Sequence, residues 1–282
     1  MRSTGIKYMA KTILFLGKLG SNSHLSADKI KKAGDILLGK NSLEEIFSLV
    51  SHNEKYSAVV PLENTLTGSI NLTFDLFRTK KVQIISELIL KINHCLIAKK
   101  NNPLKTFKFC LSHPEVFKQC SRFIKKNLKL SPLLVSDTAT AAQNLLKFDE
   151  NFCALANKYA AGINGLSIIK EHLEDDPSNY TRFVVIGKKS NLKGNKISII
   201  FSLIHQPGSL VKALLPVAGN HLNLTKIESR PIIGRPWEYL FFVDLEIGKN
   251  QKGFINSFQE MKRKTKFIKI LGQYDKGVII ND

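Results

Sequence analysis

Short apolar stretches alternate with helix-forming segments over about the first 190 residues, and this rhythm limits the fold more than any other feature. The runs at 12–16 and 57–60 are compact and apolar, and a polar loop and a helical pattern follow each of them. Alternation of this kind favours a parallel or mixed sheet with helices on its faces. The sequence therefore predicts an α/β fold, in which 70–78 is a helix capped by Ser69 and 115–127 is a single helix.

The pattern changes after 190–195, a polar stretch that is the best candidate for a linker. The remaining chain has the predicted order strand, helix, strand, strand, helix, strand, which is typical of a ferredoxin-like unit. We therefore predict two domains, with residues 1–190 and 195–282. Met9 is an alternative start to Met1, because the periodic pattern begins just after it.

The chain is strongly basic, with 42 Lys and Arg residues against 23 Asp and Glu residues and a net charge of +19. Seven of the basic residues are arginine, and the lysines are spread along the whole chain. Because bidentate recognition of phosphates and bases favours arginine, we predict no nucleic-acid partner. A weaker interpretation of the charge is that it attracts a small anionic substrate.

Several functional classes are not expected from the sequence. No uncharged apolar run reaches the roughly 18 to 20 residues that a membrane-spanning helix needs, so we predict no membrane partner. The four cysteines have no C-x-x-C spacing and the seven histidines stand singly, so we predict reduced thiols, a cytoplasmic location and no metal site. The glycines of 17–23 lack the dinucleotide-binding spacing, and no other cofactor is predicted.

Polar loops follow several of the predicted strands, at 17–24, 61–69, 112–119 and 175–181. Ligands of open α/β sheets bind just beyond the carboxyl ends of the strands, so these loops are predicted to converge on one cleft. They offer hydroxyls, amides and helix N-termini, but no paired carboxylates and no nucleophile elbow. The residues alone therefore indicate either a binding protein or a cofactor-free enzyme for a small anion.

Several stretches occur together in an order that resembles the prephenate dehydratases, from about Thr12 to the end of the chain. In the first domain these are Val60-Pro61-Leu62-Glu63-Asn64-Thr65 with Gly68, Ser112-His113-Pro114 with Gln119-Cys120, Thr138-Ala139 with Ala141-Ala142, and Asn179-Tyr180-Thr181-Arg182-Phe183. The stretches that resemble the regulatory ACT domain of these enzymes are Pro207-Gly208-Ser209-Leu210, Leu224-Thr225-Lys226-Ile227-Glu228-Ser229-Arg230-Pro231 and Trp237-Glu238-Tyr239.

The resemblance implies a bilobed catalytic domain with mixed sheets, similar to periplasmic binding proteins, with lobes at about 11–88 plus 170–190 and at 89–169. It also implies that 195–282 is a ferredoxin-like ACT domain. The implied reaction is the decarboxylative dehydration of prephenate to phenylpyruvate in L-phenylalanine biosynthesis, with no metal or other cofactor.

By the same resemblance, Thr181 is the catalytic residue, and its hydroxyl acts on the leaving hydroxyl of the substrate. Arg182 is expected to contact a substrate carboxylate or, alternatively, to brace the loop from behind the strand. Lys18 and Asn22 stand where the family usually has a proline and an aromatic residue, so the wall of the cleft at 17–24 is expected to differ in shape. The positions that match the family's substrate-binding residues are Asn64, Ser112, Gln119, Asn179, Arg182 and Ser21.

The second domain is expected, by the resemblance, to bind L-phenylalanine as a feedback inhibitor at a subunit interface of a homodimer or homotetramer. The implied effector-binding residues are Gly208, Ser209, Leu210, Glu228, Ser229, Arg230 and Pro231. Three alternatives remain open. One is an arogenate dehydratase, which does the same chemistry on the aminated substrate, and the second is a non-catalytic amino-acid sensor that keeps both domains. The third is a secreted solute-binding protein with a similar two-lobed cleft, against which the missing signal-peptide pattern counts.

Overall fold

The computed structural model describes residues 11–127, 129–190, 192–232 and 234–281, and the alternative start Met9 lies outside them. The strands in chain order are β1 (Thr12–Leu16), β2 (Ile36–Lys40), β3 (Tyr56–Asn64), β4 (Gly68–Ser69), β5 (Gln83–Lys91), β6 (Cys95–Ala98), β7 (Phe109–Ser112), β8 (Ser131–Leu134), β9 (Phe152–Ala156), β10 (Ser167–Lys170), β11 (Tyr180–Gly187), β12 (Lys196–Ser202), β13 (Asn223–Ile232), β14 (Arg235–Glu246), β15 (Phe267–Tyr274) and β16 (Ile279–Ile280). The helices are α1 (Asn22–Ile30), α2 (Leu43–His52), α3 (Asn71–Thr79), α4 (Pro114–Gln119), α5 (Ser121–Lys126), α6 (Thr138–Leu145), α7 (Lys158–Ile163), α8 (Ser209–Gly219) and α9 (Gln251–Lys264), with a 3-10 turn at Leu104–Thr106. Within the described ranges, no helix combines the length and the apolar character that a membrane span requires.

The first sheet has the strand order β16-β5-β11-β3-β1-β2, with β4 paired to β3. β1 runs parallel to β2 and β3, whereas β11 runs antiparallel to both β3 and β5, so the sheet is mixed. The run Ser57–Leu62 of β3 is buried, which agrees with its continuous apolar sequence, because strands covered on both faces do not alternate. Because β3 and β11 are antiparallel, the end of β3 lies beside the beginning of β11, where Asn64 pairs with Thr181.

The second sheet has the order β10-β6-β9-β7-β8 and is built from residues 95–170. β7 runs parallel to β8 and β9, and β6 runs antiparallel to β9 and β10. Helix α6 packs through Ala141 and Ala142, small side chains that are fully buried against β7 and β9. Residues 89–91, which the sequence assigns to the second lobe, belong instead to β5 of the first sheet.

The third sheet is antiparallel with the order β13-β14-β12-β15, and its elements follow the order β12, α8, β13, β14, α9, β15. One face packs on α8 and α9. The other face joins the core of the first sheet, where Phe242 meets Phe74 edge to face at 4.7 Å between ring centroids. Gly272 lies so close to β5 that a Cβ there would be 2.1 Å from the Ile84 carbonyl oxygen. The third sheet is therefore packed directly on the first.

The chain end departs from the predicted domain boundary. Strand β16, at Ile279–Ile280, pairs in parallel with β5, so these residues extend the first sheet although the sequence assigns 195–282 to the second domain. A two-residue strand after a polar stretch carries too little periodicity to be recognised, because its pairing depends on a distant edge.

Two predicted helices differ from those observed, and in both cases a distant side chain is the reason. Ser69 does not cap α3, which begins one residue later than predicted, because its hydroxyl donates to Glu228 of β13 at 2.8 Å. The predicted helix 115–127 is divided into α4 and α5 at Cys120. Asp175 accepts from the Ser121 hydroxyl at 2.7 Å and from the backbone N–H of Arg122, and thus supplies α5 with its own N-terminal partner.

Candidate functional site

The Thr181 hydroxyl and the Asn64 amide form the centre of the site, at the junction of β11 and β3. Asn64 Nδ2 lies 3.0 Å from Thr181 Oγ1 and donates to it. The orientation of this amide is set by the backbone, because its Oδ1 accepts from the N–H groups of Leu66 and Thr67 at 2.9 and 3.0 Å. A carboxamide whose oxygen is occupied in this way must present its NH₂ group to Thr181. The two protons of this NH₂ group are shared among Thr181 Oγ1, Asn179 Oδ1 and the Tyr180 carbonyl oxygen, so Thr181 accepts from Asn64 and keeps its own proton for another acceptor.

The chain of amides continues from Asn64 into the second sheet. Asn64 Nδ2 also donates to Asn179 Oδ1 at 2.7 Å, and Asn179 Nδ2 donates to Gln119 Oε1 at 3.1 Å. Gln119 Oε1 in turn lies 2.8 Å from His94 Nε2. Since an amide oxygen can only accept, His94 carries a proton on Nε2. The predicted residues Thr181, Asn64, Asn179 and Gln119 are therefore brought together in one hydrogen-bonded network that crosses from β3 to α4, in which Asn64 donates to both of its neighbours and Gln119 accepts from both of its own.

His94 was not predicted from the sequence, and it ends this chain. It is 3% exposed, and its Nδ1 has no hydrogen-bond partner among the described residues. Burial lowers the pKa of His94, although the hydrogen bond to Gln119 and the charge of Glu174 act in the opposite direction. The ring is thus neutral at neutral pH. A lone histidine in the short segment between β5 and β6 gives no sequence signal for this role.

The 17–23 segment follows β1 and lies beside the start of α7. Hydrogen bonds hold it to α1 and to Asn157, the residue that caps α7. Ser21 caps α1, since its Oγ accepts from the N–H of His24 at 3.1 Å and donates to the Leu16 carbonyl. The N–H of Gly20 donates to His24 Nδ1 at 3.0 Å, and Asn157 Nδ2 donates to the Gly20 carbonyl at 3.1 Å. The Ser21 hydroxyl is therefore occupied by the loop itself, and Asn157 is a residue that the sequence analysis missed.

The Gly20 backbone needs a glycine for two reasons. Its φ is +90°, and a Cβ there would lie 3.1 Å from the Cα of Ala160 on α7. The loop thus approaches the second sheet closely only because no side chain stands between them.

The structure places Ser112 differently from the prediction. Its side chain is fully buried, and its hydroxyl donates to the Leu155 carbonyl at 2.8 Å. Ser112 therefore ties the end of β7 to β9, while the next residue, His113, caps α4 by accepting from the N–H of Glu115. This placement does not support the predicted contact between the Ser112 hydroxyl and the substrate.

Arg182 also lies outside the cleft, so the predicted contact with a substrate carboxylate is not supported. It follows Thr181 on β11, and successive strand residues face opposite sides of a sheet. Its guanidinium, 8% exposed, donates to Glu87 at 2.7 Å, to Glu63 at 3.0 Å and to Asp244 of β14. Burial disfavours the charged guanidinium, but Asp244 and Glu87 raise the pKa of Arg182 above its ordinary value. The alternative, that Arg182 braces the strand from behind, agrees with these contacts.

The predicted effector residues fall into two groups. Ser209 and Leu210 line a cavity of about 170 Å³, together with Trp237 and Tyr239. Gly208 precedes α8 with a φ of +77°. Glu228 and Arg230 instead face the first sheet, where Glu228 accepts from Ser69 and Arg230 pairs with Asp75 at 2.9 Å. Ser229 and Pro231 are exposed on the other face of β13. Within one chain, Glu228 and Arg230 therefore face away from this cavity, whereas Ser229 and Pro231 lie opposite Phe241 and Tyr239, which line it.

The fold and the site together define a class of protein: an α/β protein in which a hydroxyl and amides of the first two sheets and their helices lie together, and to which a third sheet is attached. The family model described as prephenate dehydratase matches residues 13–191. The chain belongs to the prephenate dehydratase family.

Curated relatives carry the same name. The chain is 33% identical over 268 residues to the bifunctional chorismate mutase/prephenate dehydratase of Buchnera aphidicola subsp. Schizaphis graminum, covering 92% of this chain and 70% of that protein. It is 37% identical over 241 residues to the prephenate dehydratase of Methanocaldococcus jannaschii, covering 83% of this chain and 86% of that protein.

Solved structures share the fold. The prephenate dehydratase of Arthrobacter aurescens in complex with L-Phe superposes with a TM-score of 0.83 at 24% identity, covering 94% of this chain and 90% of that chain. A structure titled GqqA, a novel type of quorum quenching acylases, superposes with a TM-score of 0.82 at 25% identity, covering 96% of this chain and 98% of that chain. Because one fold accommodates differently named activities, the function must be argued from the cleft.

Proposed function

We propose that this protein is a prephenate dehydratase that converts prephenate into phenylpyruvate, carbon dioxide and water. The observation that carries the proposal is the hydrogen bond from Asn64 to Thr181, which leaves the Thr181 hydroxyl as a donor at the edge of the cleft. The reaction needs one such donor, aimed at a leaving hydroxyl.

The chemistry balances with the groups that the cleft provides. The bond from the ring to its carboxylate breaks, and the carboxylate leaves as carbon dioxide. The electron pair of the broken bond forms a new double bond in the ring. The C–O bond at the opposite ring carbon breaks at the same time, and the departing hydroxide takes the proton of the Thr181 hydroxyl to become water, while a proton from solvent restores that hydroxyl. Aromatisation of the ring supplies the driving force, so positioning and one hydrogen-bond donor are sufficient roles for the protein.

Asn179 and Gln119 support this arrangement in two ways. Asn179 is 1% exposed and holds Asn64 in place, which fixes the distance to Thr181. Both amides also present further hydrogen-bonding groups at the boundary between the first and second sheets, where a substrate with two carboxylates would lie. We assign them to substrate positioning and leave the proton-donating role to Thr181.

The test of this proposal is the rate at which the purified protein forms phenylpyruvate from prephenate. We expect Thr181→Ala to lower kcat by about 100-fold or more, because one transition-state donor is lost, while KM changes much less. Thr79→Ala is the matched control, because the Thr79 hydroxyl is exposed at the end of α3 and bonds only within that helix turn among the described residues. Near wild-type turnover of Thr181→Ala would remove Thr181 from the mechanism.

A second variant tests the direction of the hydrogen bond. Asn64→Asp keeps the shape of the side chain but replaces the NH₂ donor with an oxygen, so the Thr181 hydroxyl would donate to Asp and be lost to the substrate. We expect kcat to fall by an amount similar to that of Thr181→Ala, and the double variant to be no slower than the slower single variant. Additive losses would contradict a shared hydrogen bond.

The finer architecture belongs to the same proposal. The first and second sheets correspond to two lobes of a catalytic domain, and the third sheet with α8 and α9 corresponds to a ferredoxin-like ACT domain. The strand order β13-β14-β12-β15 and the chain order of its elements support this assignment.

We further propose that L-phenylalanine binds the third sheet and inhibits the enzyme. The cavity beside Ser209, Leu210 and Trp237 has apolar walls for an aromatic side chain, and the backbone at the start of α8 has N–H groups for a carboxylate. Ser229 and Pro231 would complete such a site from a second chain because they are exposed on β13, whereas Glu228 and Arg230 are bound to Ser69 and Asp75 of their own chain.

A homodimer or homotetramer agrees with the exposed apolar side chains of this unit. Val211, Leu215 and Trp237 are 68%, 62% and 78% exposed. Apolar surface of this kind is often covered by another subunit. We also place the protein in the cytoplasm, since a biosynthetic enzyme with reduced, buried cysteines suits that compartment.

A further inference from the structure

Two neighbouring residue pairs join β3 to β11, and they serve opposite faces of the first sheet. Asn64 pairs with Thr181, and Glu63 pairs with Arg182. The first pair faces the cleft, and the second faces the third sheet. Because the two pairs are adjacent along both strands, a movement of the Glu63–Arg182 pair moves the backbone that carries Asn64 and Thr181.

The guanidinium of Arg182 is held from both sheets. From the first sheet, Glu87 and Glu63 accept from it at 2.7 and 3.0 Å. From the third sheet, Asp244 accepts from Nη1 and the Tyr274 hydroxyl accepts from Nη2 at 3.1 Å. Asp244 is 0% exposed and Tyr274 is 1% exposed, so neither group exchanges these contacts for water.

The charged groups around Arg182 form one connected network. Three cations, Arg182, Lys196 and Lys226, interact with the carboxylates of Glu63, Glu87 and Asp244, and Lys226 also pairs with Glu228 at 3.6 Å. A buried charge that loses one partner is strongly destabilised, so such a network changes as a whole or not at all. Lys226 and Lys196 also come from the strands of the third sheet, β13 and β12. The third sheet thus supplies Lys196, Lys226, Glu228 and Asp244, and the first sheet supplies Arg182, Glu63 and Glu87.

We propose that Arg182 is a positioning residue through which the third sheet controls Thr181, with Asp244 and Tyr274 as its partners on the regulatory side. A displacement of β14 and β15 moves Asp244 and Tyr274, and the guanidinium follows because both of these partners are buried and water cannot replace them. Thr181 then shifts relative to Asn64. The regulatory part of this inference rests on the proposed function, because an effector must bind the third sheet to use this route.

The experiment compares Asp244→Asn with Lys269→Met in the full-length protein. Asp244→Asn keeps the side-chain volume and removes one buried charge beside Arg182. Lys269→Met removes two hydrogen bonds across the same interface, to the carbonyls of Phe77 and Lys80, without touching β3 or β11. The measurements are kcat and KM for prephenate, inhibition and calorimetric binding of L-phenylalanine, and hydrogen–deuterium exchange of the backbone amides at 180–183.

We expect Asp244→Asn to lower kcat by about fivefold or more with KM changed less than about twofold, and to raise exchange at 180–183. We also expect it to weaken inhibition by L-phenylalanine while binding is retained, and the double variant with Arg182→Gln to be no slower than Arg182→Gln alone. Lys269→Met should resemble the wild type in these measurements.

Equal behaviour of Asp244→Asn and Lys269→Met would overturn the inference, as would exchange that rises throughout the first sheet rather than at 180–183. A wild-type protein that does not turn over prephenate would refute the proposed function, and the exchange comparison alone would then decide the inference. If Asp244→Asn does not fold, Tyr274→Phe replaces it, because this variant deletes a single hydroxyl beside Arg182. It should change kcat and exchange in the same direction with a smaller effect. An unchanged kcat and unchanged exchange at 180–183 in Tyr274→Phe would overturn the proposal.

Discussion

The orientation of one amide determines what the Thr181 hydroxyl can do. Backbone N–H groups of the 65–67 turn occupy the oxygen of Asn64, and the NH₂ group is thereby turned towards Thr181 and Asn179. A threonine hydroxyl is a weak acid in water, but here it accepts one hydrogen bond and can donate the next. Its reactivity therefore depends on a local turn as much as on the residue itself.

The neutral state of His94 leads to a prediction about stability and pH. Burial lowers the pKa of His94 below its ordinary 6.5, whereas the unfolded chain keeps the ordinary value. As the pH falls below about 6.5, the unfolded state takes up a proton that the folded state resists, so the free energy of unfolding decreases. The loss is at most about 1.4 kcal/mol per pH unit for one group.

We expect urea unfolding to show a smaller decrease between about pH 7 and about pH 5.5 for His94→Gln than for the wild type. Burial lowers the pKa of His24 in the same direction, so part of the decrease should persist in the variant. Identical pH slopes for the two proteins would contradict a neutral, buried His94.

At the level of secondary structure, the cleft depends on strands and helices that end beside one another. β3 ends where β11 begins, and α4 ends at Gln119, where the backbone carbonyl accepts from the N–H of Asp175 at 2.7 Å. Division of the predicted helix 115–127 into α4 and α5 is what allows the 171–179 loop to reach Gln119. The site is therefore built from the ends of elements rather than from their middles.

The approach of the 17–23 loop to α7 can be tested with one substitution. We expect Gly20→Ala to lower kcat/KM by about tenfold or more, because a Cβ 3.1 Å from the Ala160 backbone displaces the loop from the second sheet. Gly165→Ala is the control, since Gly165 also has a positive φ, of +63°, but nothing within 4 Å of the added Cβ.

Both glycine variants should lose about 1–2 kcal/mol of stability from the left-handed backbone alone, as measured by denaturant unfolding. If the two variants have equal activity, the close contact with Ala160 is unimportant for the cleft.

At the level of the whole molecule, the third sheet is both a neighbour of the catalytic sheet and the proposed effector-binding unit. Its core-facing side contributes Phe242 and Tyr274 to the same apolar cluster as Phe74. The exposed side of α8 and the cavity beside Trp237 remain accessible on the single chain. Binding at that side and chemistry in the cleft can be linked if the effector favours one arrangement of the sheets.

Gly208→Val tests the effector site. The φ of +77° at Gly208 is strongly unfavourable for a β-branched residue, so the start of α8 should change shape. We expect both the binding of L-phenylalanine, measured by calorimetry, and the inhibition of the dehydratase to be lost, with uninhibited kcat near that of the wild type. Inhibition that survives unchanged would place the effector elsewhere, and a wild-type chain that binds no L-phenylalanine would refute the regulation.

The sequence by itself determined the alternation of strands and helices and indicated Thr181, Asn64, Asn179 and Gln119 as polar residues near the ends of these elements. These features are local, because apolar periodicity and turn residues act over a few positions along the chain. Motif order was then enough to indicate the family, since several short stretches must occur together.

Only the tertiary structure decided which face of each strand is the cleft. The alternation along β11 puts Thr181 and Arg182 on opposite faces, but the face that meets the third sheet is set by packing between residues more than 60 positions apart, such as Arg182 and Asp244. The same holds for His94, for the division of the helix by Asp175 and for the return of β16 to the first sheet. Each depends on a partner that is distant in sequence, and no local pattern contains that information.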